Sequence, residues 1–89
     1  MRIRKDFILR QIAGQWVILP LAGNSADFSG MVKLNEAGVM LWKLLEKGCS
    51  LDALVDALVA EYQISRELAA ADAERFLEKL SGIGCIEQE

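Results

Sequence analysis

GMVKLNEAGVMLW, Gly30 to Trp42, is the stretch on which the fold turns. Met31, Val32, Lys33 and Leu34 form a short run of strand character. Asn35 follows, and its side-chain oxygen is suited to accept a backbone N–H of a first helical turn. Leu34 before the cap and Val39 beyond it are placed as a hydrophobic staple. Glu36 falls in the first turn, where the helix dipole favours negative charge. The segment therefore predicts a strand running directly into a capped helix, with the angle between them set locally.

Upstream, Phe7 to Ile12 and Gln15 to Leu19 are two β-rich runs joined at Ala13-Gly14, where glycine suits the positive φ of a hairpin turn. Trp16, Val17, Ile18 and Leu19 are almost wholly apolar, the pattern of a central strand covered on both faces. Pro20 lacks a backbone donor and belongs at that strand's end. Ala22 to Ser29 reads as a loop from its Gly, Asn, Ser and Asp content, with Phe28 as an anchor onto the core. Gly30 to Leu34 returns as a third strand.

Downstream, three helices are expected. The first runs from the Asn35 cap to about Glu46 and stops at Lys47-Gly48. Ser50 caps the second, in which Leu51, Leu54, Val55, Leu58 and Tyr62 recur at helical spacing. Ser65 caps the third, with Ala69, Ala73, Phe76, Leu77 and Leu80 as its buried stripe and Gly82 as its stop. Cys85-Ile86 either adds a short terminal strand or packs onto the core. The expected fold class is α+β: a three-stranded antiparallel sheet followed by three helices, a compact cluster of the winged helix-turn-helix kind.

The chain has 89 residues, 53% of them hydrophobic and 26% charged, which suits one domain spanning residues 1–89 with a real core. No apolar run approaches the roughly 20 residues of a membrane span. Arg2, Arg4 and Lys5 resemble the start of a signal peptide, but Asp6 and Arg10 interrupt any apolar segment after them. A cytoplasmic protein with Cys49 and Cys85 as reduced thiols is expected. Net charge is −3 and uneven: residues 1–43 carry six bases and three acids, residues 44–89 four bases and ten acids. That balance opposes a nucleic-acid-binding helical half.

Catalytic chemistry is not indicated. The sequence has no histidine, so the usual triads and the usual general base near neutral pH are missing. The pairs Glu74/Glu78 and Asp52/Asp56 sit beside the apolar stripes and read as solvated acids. No cysteine cluster suits zinc or an iron–sulfur centre, and no loop has the lysine and spacing of a phosphate cradle. No enzyme activity, cofactor or metal is expected.

Binding chemistry is indicated at the third strand. An edge strand offers unpaired backbone groups to an incoming peptide, and Lys33 reads either as part of that site or as a charge that guards the edge. A vacant edge equally permits pairing of two copies, so a homodimer stays open. On the third helix, Leu68, Asp72, Arg75 and Lys79 share a flank beside the apolar stripe. That flank is either a solvated face or a small basic spot for an acidic peptide side chain. The alanines at positions 69, 70, 71 and 73 reflect helix propensity or allow close approach.

With those residues assembled, the chain resembles the PqqD family, the small peptide chaperones of pyrroloquinoline quinone biosynthesis, within the wider group of recognition elements for ribosomally made, post-translationally modified peptides. The resemblance runs from about Phe7 to Ile86. It is carried by the paired N-terminal strands, LNEAG (Leu34 to Gly38) with Leu41-Trp42, LLEKG (Leu44 to Gly48), EYQIS at the end of the second helix, and FLEKLSGIGCIE (Phe76 to Glu87). It implies that the leader of a precursor peptide adds as a strand along the third strand, beside the third helix, and that the domain presents it to a modifying enzyme, often a radical S-adenosylmethionine enzyme. Carried over, the strand site is Met31, Val32, Lys33 and Leu34, and the helix wall is Leu68, Asp72, Arg75, Phe76 and Lys79. Asn35, Leu41 and Trp42 match the pattern as cap and core. The fold is widely reused, so pyrroloquinoline quinone itself is not the expected product. The competing readings are a winged-helix DNA-binding module and a scaffold that binds only the enzyme.

Overall fold

The Asn35 cap forms as its position predicts: the side-chain oxygen accepts the Gly38 N–H at 2.8 Å, and the Asn35 carbonyl accepts the Val39 N–H at 2.9 Å. A short strand, β4 (Val32–Leu34), thereby passes without a loop into helix α1 (Glu36–Lys47). The computed structural model describes residues 1–21 and 32–87. The expected loop Ala22 to Ser29 with its Phe28 anchor, and Gly30 and Met31 of the expected strand, lie outside the described residues.

Strands β2 (Phe7–Ile12) and β3 (Gln15–Pro20) are joined by Ala13 and Gly14, at φ 51° and 78°. Two successive positive φ values make the tight turn whose twist matches a hairpin. The sheet order is β2-β3-β4, antiparallel throughout, with Pro20 closing β3 as expected. Val17 and Ile18, consecutive and therefore on opposite faces, are both buried, so the central strand is covered on each side.

Ser50 caps helix α2 (Leu51–Tyr62) and Ser65 caps helix α3 (Arg66–Ile83), each hydroxyl accepting a first-turn N–H at 3.2 Å. Ala69 and Ala73 have no exposed surface, so the small side chains do serve close packing, seating α3 against α2. The core joins Ile18 and Leu34 of the sheet to Trp42, Leu45, Leu54, Leu58 and Leu80 of the helices. Phe76 and Leu77, expected in the buried stripe, are only half-buried at its margin.

One expectation needs correction, and another is met with an unforeseen partner strand. Helix α3 passes through Gly82 and ends at Gly84, whose φ of 86° supplies the left-handed stop. The chain ends also pair with each other: β1 (Arg2–Ile3) and β5 (Ile86–Glu87) form a separate antiparallel ribbon, with Ile3 opposite Ile86. Cys85, just before β5, is fully buried, so this segment both packs on the core and becomes a strand. Two-residue strands carry too little alternation to be seen in a sequence.

Burial pushes the Cys85 thiol up to about 11, with Asp6 adding repulsion and Arg4 partly relieving it. A thiol that stays protonated in the folded state while ionising near pH ~8.5 when unfolded stabilises the fold below that range, and loses the contribution as pH rises through the folded value. Urea titrations from neutral to alkaline pH should show the wild type losing stability more steeply than Cys85→Ala, by on the order of 1 kcal/mol at the alkaline end. Equal slopes would exclude a thiol held neutral by burial.

Candidate functional site

The hairpin decides which backbone groups of β4 are unoccupied. In a two-residue hairpin the residues flanking the turn, here Ile12 and Gln15, exchange both backbone hydrogen bonds. Alternation then directs Gln15, Val17 and Leu19 toward β2, and Trp16 and Ile18 toward β4. Their partners are Leu34 and Val32. Lys33, opposite Val17, therefore turns its N–H and carbonyl away from β3, onto the outer edge of the sheet. Among the described residues no strand pairs with that edge. The Lys79 ammonium, arriving from α3, donates to the Lys33 carbonyl at 3.4 Å, which places this oxygen on the side of α3.

Side-chain direction follows the same parity. Val32 and Leu34 face the core, while the Lys33 side chain lies exposed on the other face. Between β4, the start of α1 and α3 runs an open groove of about 630 Å³. Its floor is Leu34, Ala37, Gly38, Leu41, Leu58 and Phe76, and its rim is Lys33, Asn35, Asp72, Arg75 and Lys79. Gly38 shapes the floor: a β-carbon there would meet the Phe76 ring at 3.3 Å, so glycine lets the ring lie against the first turn of α1. With the Lys33 side chain on the other face, the side chains of Asp72, Arg75 and Lys79 give the groove a net charge of +1. Arg75 is paired with Asp72 one turn away. Among the described residues neither Lys33 nor Lys79 has a carboxylate partner.

Of the residues expected from sequence, the structure brings Lys33, Leu34, Asp72, Arg75, Phe76 and Lys79 together around one groove, with Val32 beside them in β4. Leu68 is not among the lining residues; it is 49% exposed near the start of α3. Met31 lies outside the described residues. Sequence reasoning assigned Leu41 and Asn35 to core and cap alone, and did not place Ala37, Gly38 or Leu58 at the site. One signal was available: glycine inside a helix costs about 1 kcal/mol against alanine, so Gly38 marked a close approach.

The groove supplies backbone donors and acceptors, an apolar floor and positive charge: means of holding an extended peptide. The family profile described as coenzyme PQQ synthesis protein D (PqqD) matches residues 15–86. The chain belongs to the PqqD family. Two solved structures share this PqqD fold over essentially their whole length. TbiB1 in complex with the TbiA(β) leader peptide is 28% identical, with a TM-score of 0.79, over 100% of this chain and 98% of that one. Lasso peptide synthetase B1 complexed with its leader peptide is 23% identical, with a TM-score of 0.77, over 98% of this chain and 96% of that one. No curated protein sequence shows significant similarity. The sheet of three antiparallel strands with three helices that the sequence predicts is thus the architecture of this PqqD member, and no helix among the described residues is long and apolar enough to cross a membrane.

Proposed function

We propose that this PqqD-family chain is a single-domain peptide chaperone of the cytoplasm. It binds the leader of a ribosomally made precursor peptide by strand addition and presents the attached core to a modifying enzyme, a radical S-adenosylmethionine enzyme by family expectation. The observation that carries this reading is the orientation of Lys33: one backbone donor and one acceptor face outward from β4, directly beside the groove under α3. Backbone pairing supplies affinity with little sequence demand, and the groove adds selectivity for alternate side chains. The complex of TbiB1 with a leader peptide supports the same use of the fold. The peptide-binding residues are Val32, Lys33, Leu34, Asp72, Arg75, Phe76 and Lys79, with Gly38 and Leu41 shaping the floor. The chain acts as an adaptor and leaves the chemistry to its partner.

A DNA-binding role fits poorly. The exposed acids of α2 and α3, such as Asp52, Asp56, Glu74 and Glu78, would face a phosphate backbone with the wrong sign. The test is a titration with the leader half of a short precursor encoded beside the gene, followed by amide NMR. Amide shifts are expected at Val32 to Leu34 and along Asp72 to Lys79, with new exchange protection of the Lys33 N–H. The affinity should be micromolar, about −8 kcal/mol, because a leader disordered when free must be ordered on binding. Shifts confined to α2, with the Lys33 amide unchanged, would defeat strand addition on β4.

A further inference from the structure

We propose that Lys79 is both the gate of this edge and a determinant of which peptides enter it. In the free domain its ammonium occupies the Lys33 carbonyl. Once displaced, it favours guests that carry a carboxylate on a groove-facing side chain. The inference rests on the strand-addition reading and specifies the chemistry of the guest.

Among the described residues, Lys33 is the β4 position whose carbonyl is turned to the open edge, since Val32 and Leu34 are turned to β3. A neighbouring strand lies about 4.8 Å away and places its N–H on such an oxygen at about 2.9 Å. An ammonium 3.4 Å from the oxygen competes with that N–H for the same acceptor. The contact is long and exposed, so it is easily broken. It is a displaceable cover for an edge that would otherwise invite uncontrolled pairing.

Displacement leaves Lys79 without an unengaged carboxylate among the described residues that line the groove. Asp72, the acidic group lining the groove, is engaged by Arg75. A guest residue paired opposite Lys33 shares its outward face, so the residues on either side of it point into the groove, toward α3. A carboxylate at one of those positions meets the released ammonium. A neutral guest leaves it with water alone, and a basic guest adds repulsion.

The experiment is a display selection of short random peptides on the whole protein, with wild type and Lys79→Gln in parallel, followed by binding and amide NMR on the enriched sequences. Wild type should enrich peptides with Asp or Glu at one fixed position, and these should shift the Lys33 amide. Replacing that acid by its amide should weaken binding to wild type about tenfold in low salt and change binding to Lys79→Gln by less than about twofold. Neutral peptides should bind Lys79→Gln at least as well as wild type. If peptides shift the Lys33 amide but show no acidic position, or if the acid matters equally in both proteins, the gate is overturned while strand addition stands. If no peptide is enriched, or those enriched leave the Lys33 amide unmoved, strand addition falls and the gate with it.

Discussion

Replacing Lys33 by proline should weaken leader binding at least about tenfold while leaving the domain folded. Lys33 turns its N–H to the open edge, so proline there removes no hydrogen bond of the β3–β4 ladder. Proline also demands an extended residue before it, and Val32 already lies in a strand. A proline is tolerated at such an edge position for these reasons. The guest, by contrast, loses a main-chain donor and meets a ring in the strip its backbone would occupy. One hydrogen bond contributes about 0.5–1.5 kcal/mol, and with the steric conflict the dissociation constant should rise at least about tenfold. Lys33→Ala separates the backbone from the side chain, since it keeps the N–H. Val32→Pro is the opposing case: Val32 faces Ile18 across the ladder, so its proline should damage the sheet itself. Calorimetry with the leader, alongside a far-ultraviolet spectrum of each variant, reads both effects. Equal leader affinity of folded Lys33→Pro and Lys33→Ala would show that the Lys33 donor is not used.

The largest stability effect is expected at Trp42. Its side chain has no exposed surface and is the largest fully buried one among the described residues. Its indole N–H donates to Glu46 at 3.1 Å, one turn along α1, so burial leaves no donor unpaired. It packs in the cluster that joins Ile18 and Leu34 of the sheet to Leu54, Leu58 and Leu80 of α2 and α3. Truncation to alanine removes these contacts at once and opens a cavity the backbone cannot fully close, at a cost of about 3–5 kcal/mol. Small domains hold roughly 0.05–0.15 kcal/mol per residue, about 4–13 kcal/mol for an 89-residue chain, so this cost is a large fraction of the total. Trp42→Phe keeps the apolar ring and gives up the hydrogen bond, and should cost less than half as much. Trp16 is half-buried beneath the Lys43 ammonium and remains as a fluorescence reporter in both variants. A urea midpoint for Trp42→Ala close to that of the wild type would contradict a core centred on this ring.

These two positions differ in how far the sequence alone revealed them. The Asn35 cap, the Ala13-Gly14 turn and the Ser50 and Ser65 caps are satisfied by neighbours within a few residues, so the local pattern was enough. Trp42 belonged to an apolar helical face, and any fold of this class buries such a face. The α3 flank of Asp72, Arg75 and Lys79 could be drawn on a helical wheel, but its meaning stayed divided between a solvated surface and a binding wall. The structure resolves what that flank faces, because it carries Lys79 to the Lys33 carbonyl, 46 positions away in the chain. Leu68 shares the same wheel position yet lies outside the groove lining, since a helix face continues along the axis past the end of the strand it borders.

The features legible along the chain are local and periodic: strand into capped helix, a tight hairpin, three amphipathic helices, and a charge balance unsuited to nucleic acid. Tertiary structure alone decided the edge position of β4, the pairing of β1 with β5, and the groove floor made by Gly38, Leu41, Leu58 and Phe76. The physical reason is the range of the interactions. Caps, turns and amphipathic faces are settled by forces acting over one or two turns of chain. A groove is the space left between elements distant in sequence, and its contents follow from how the whole core closes.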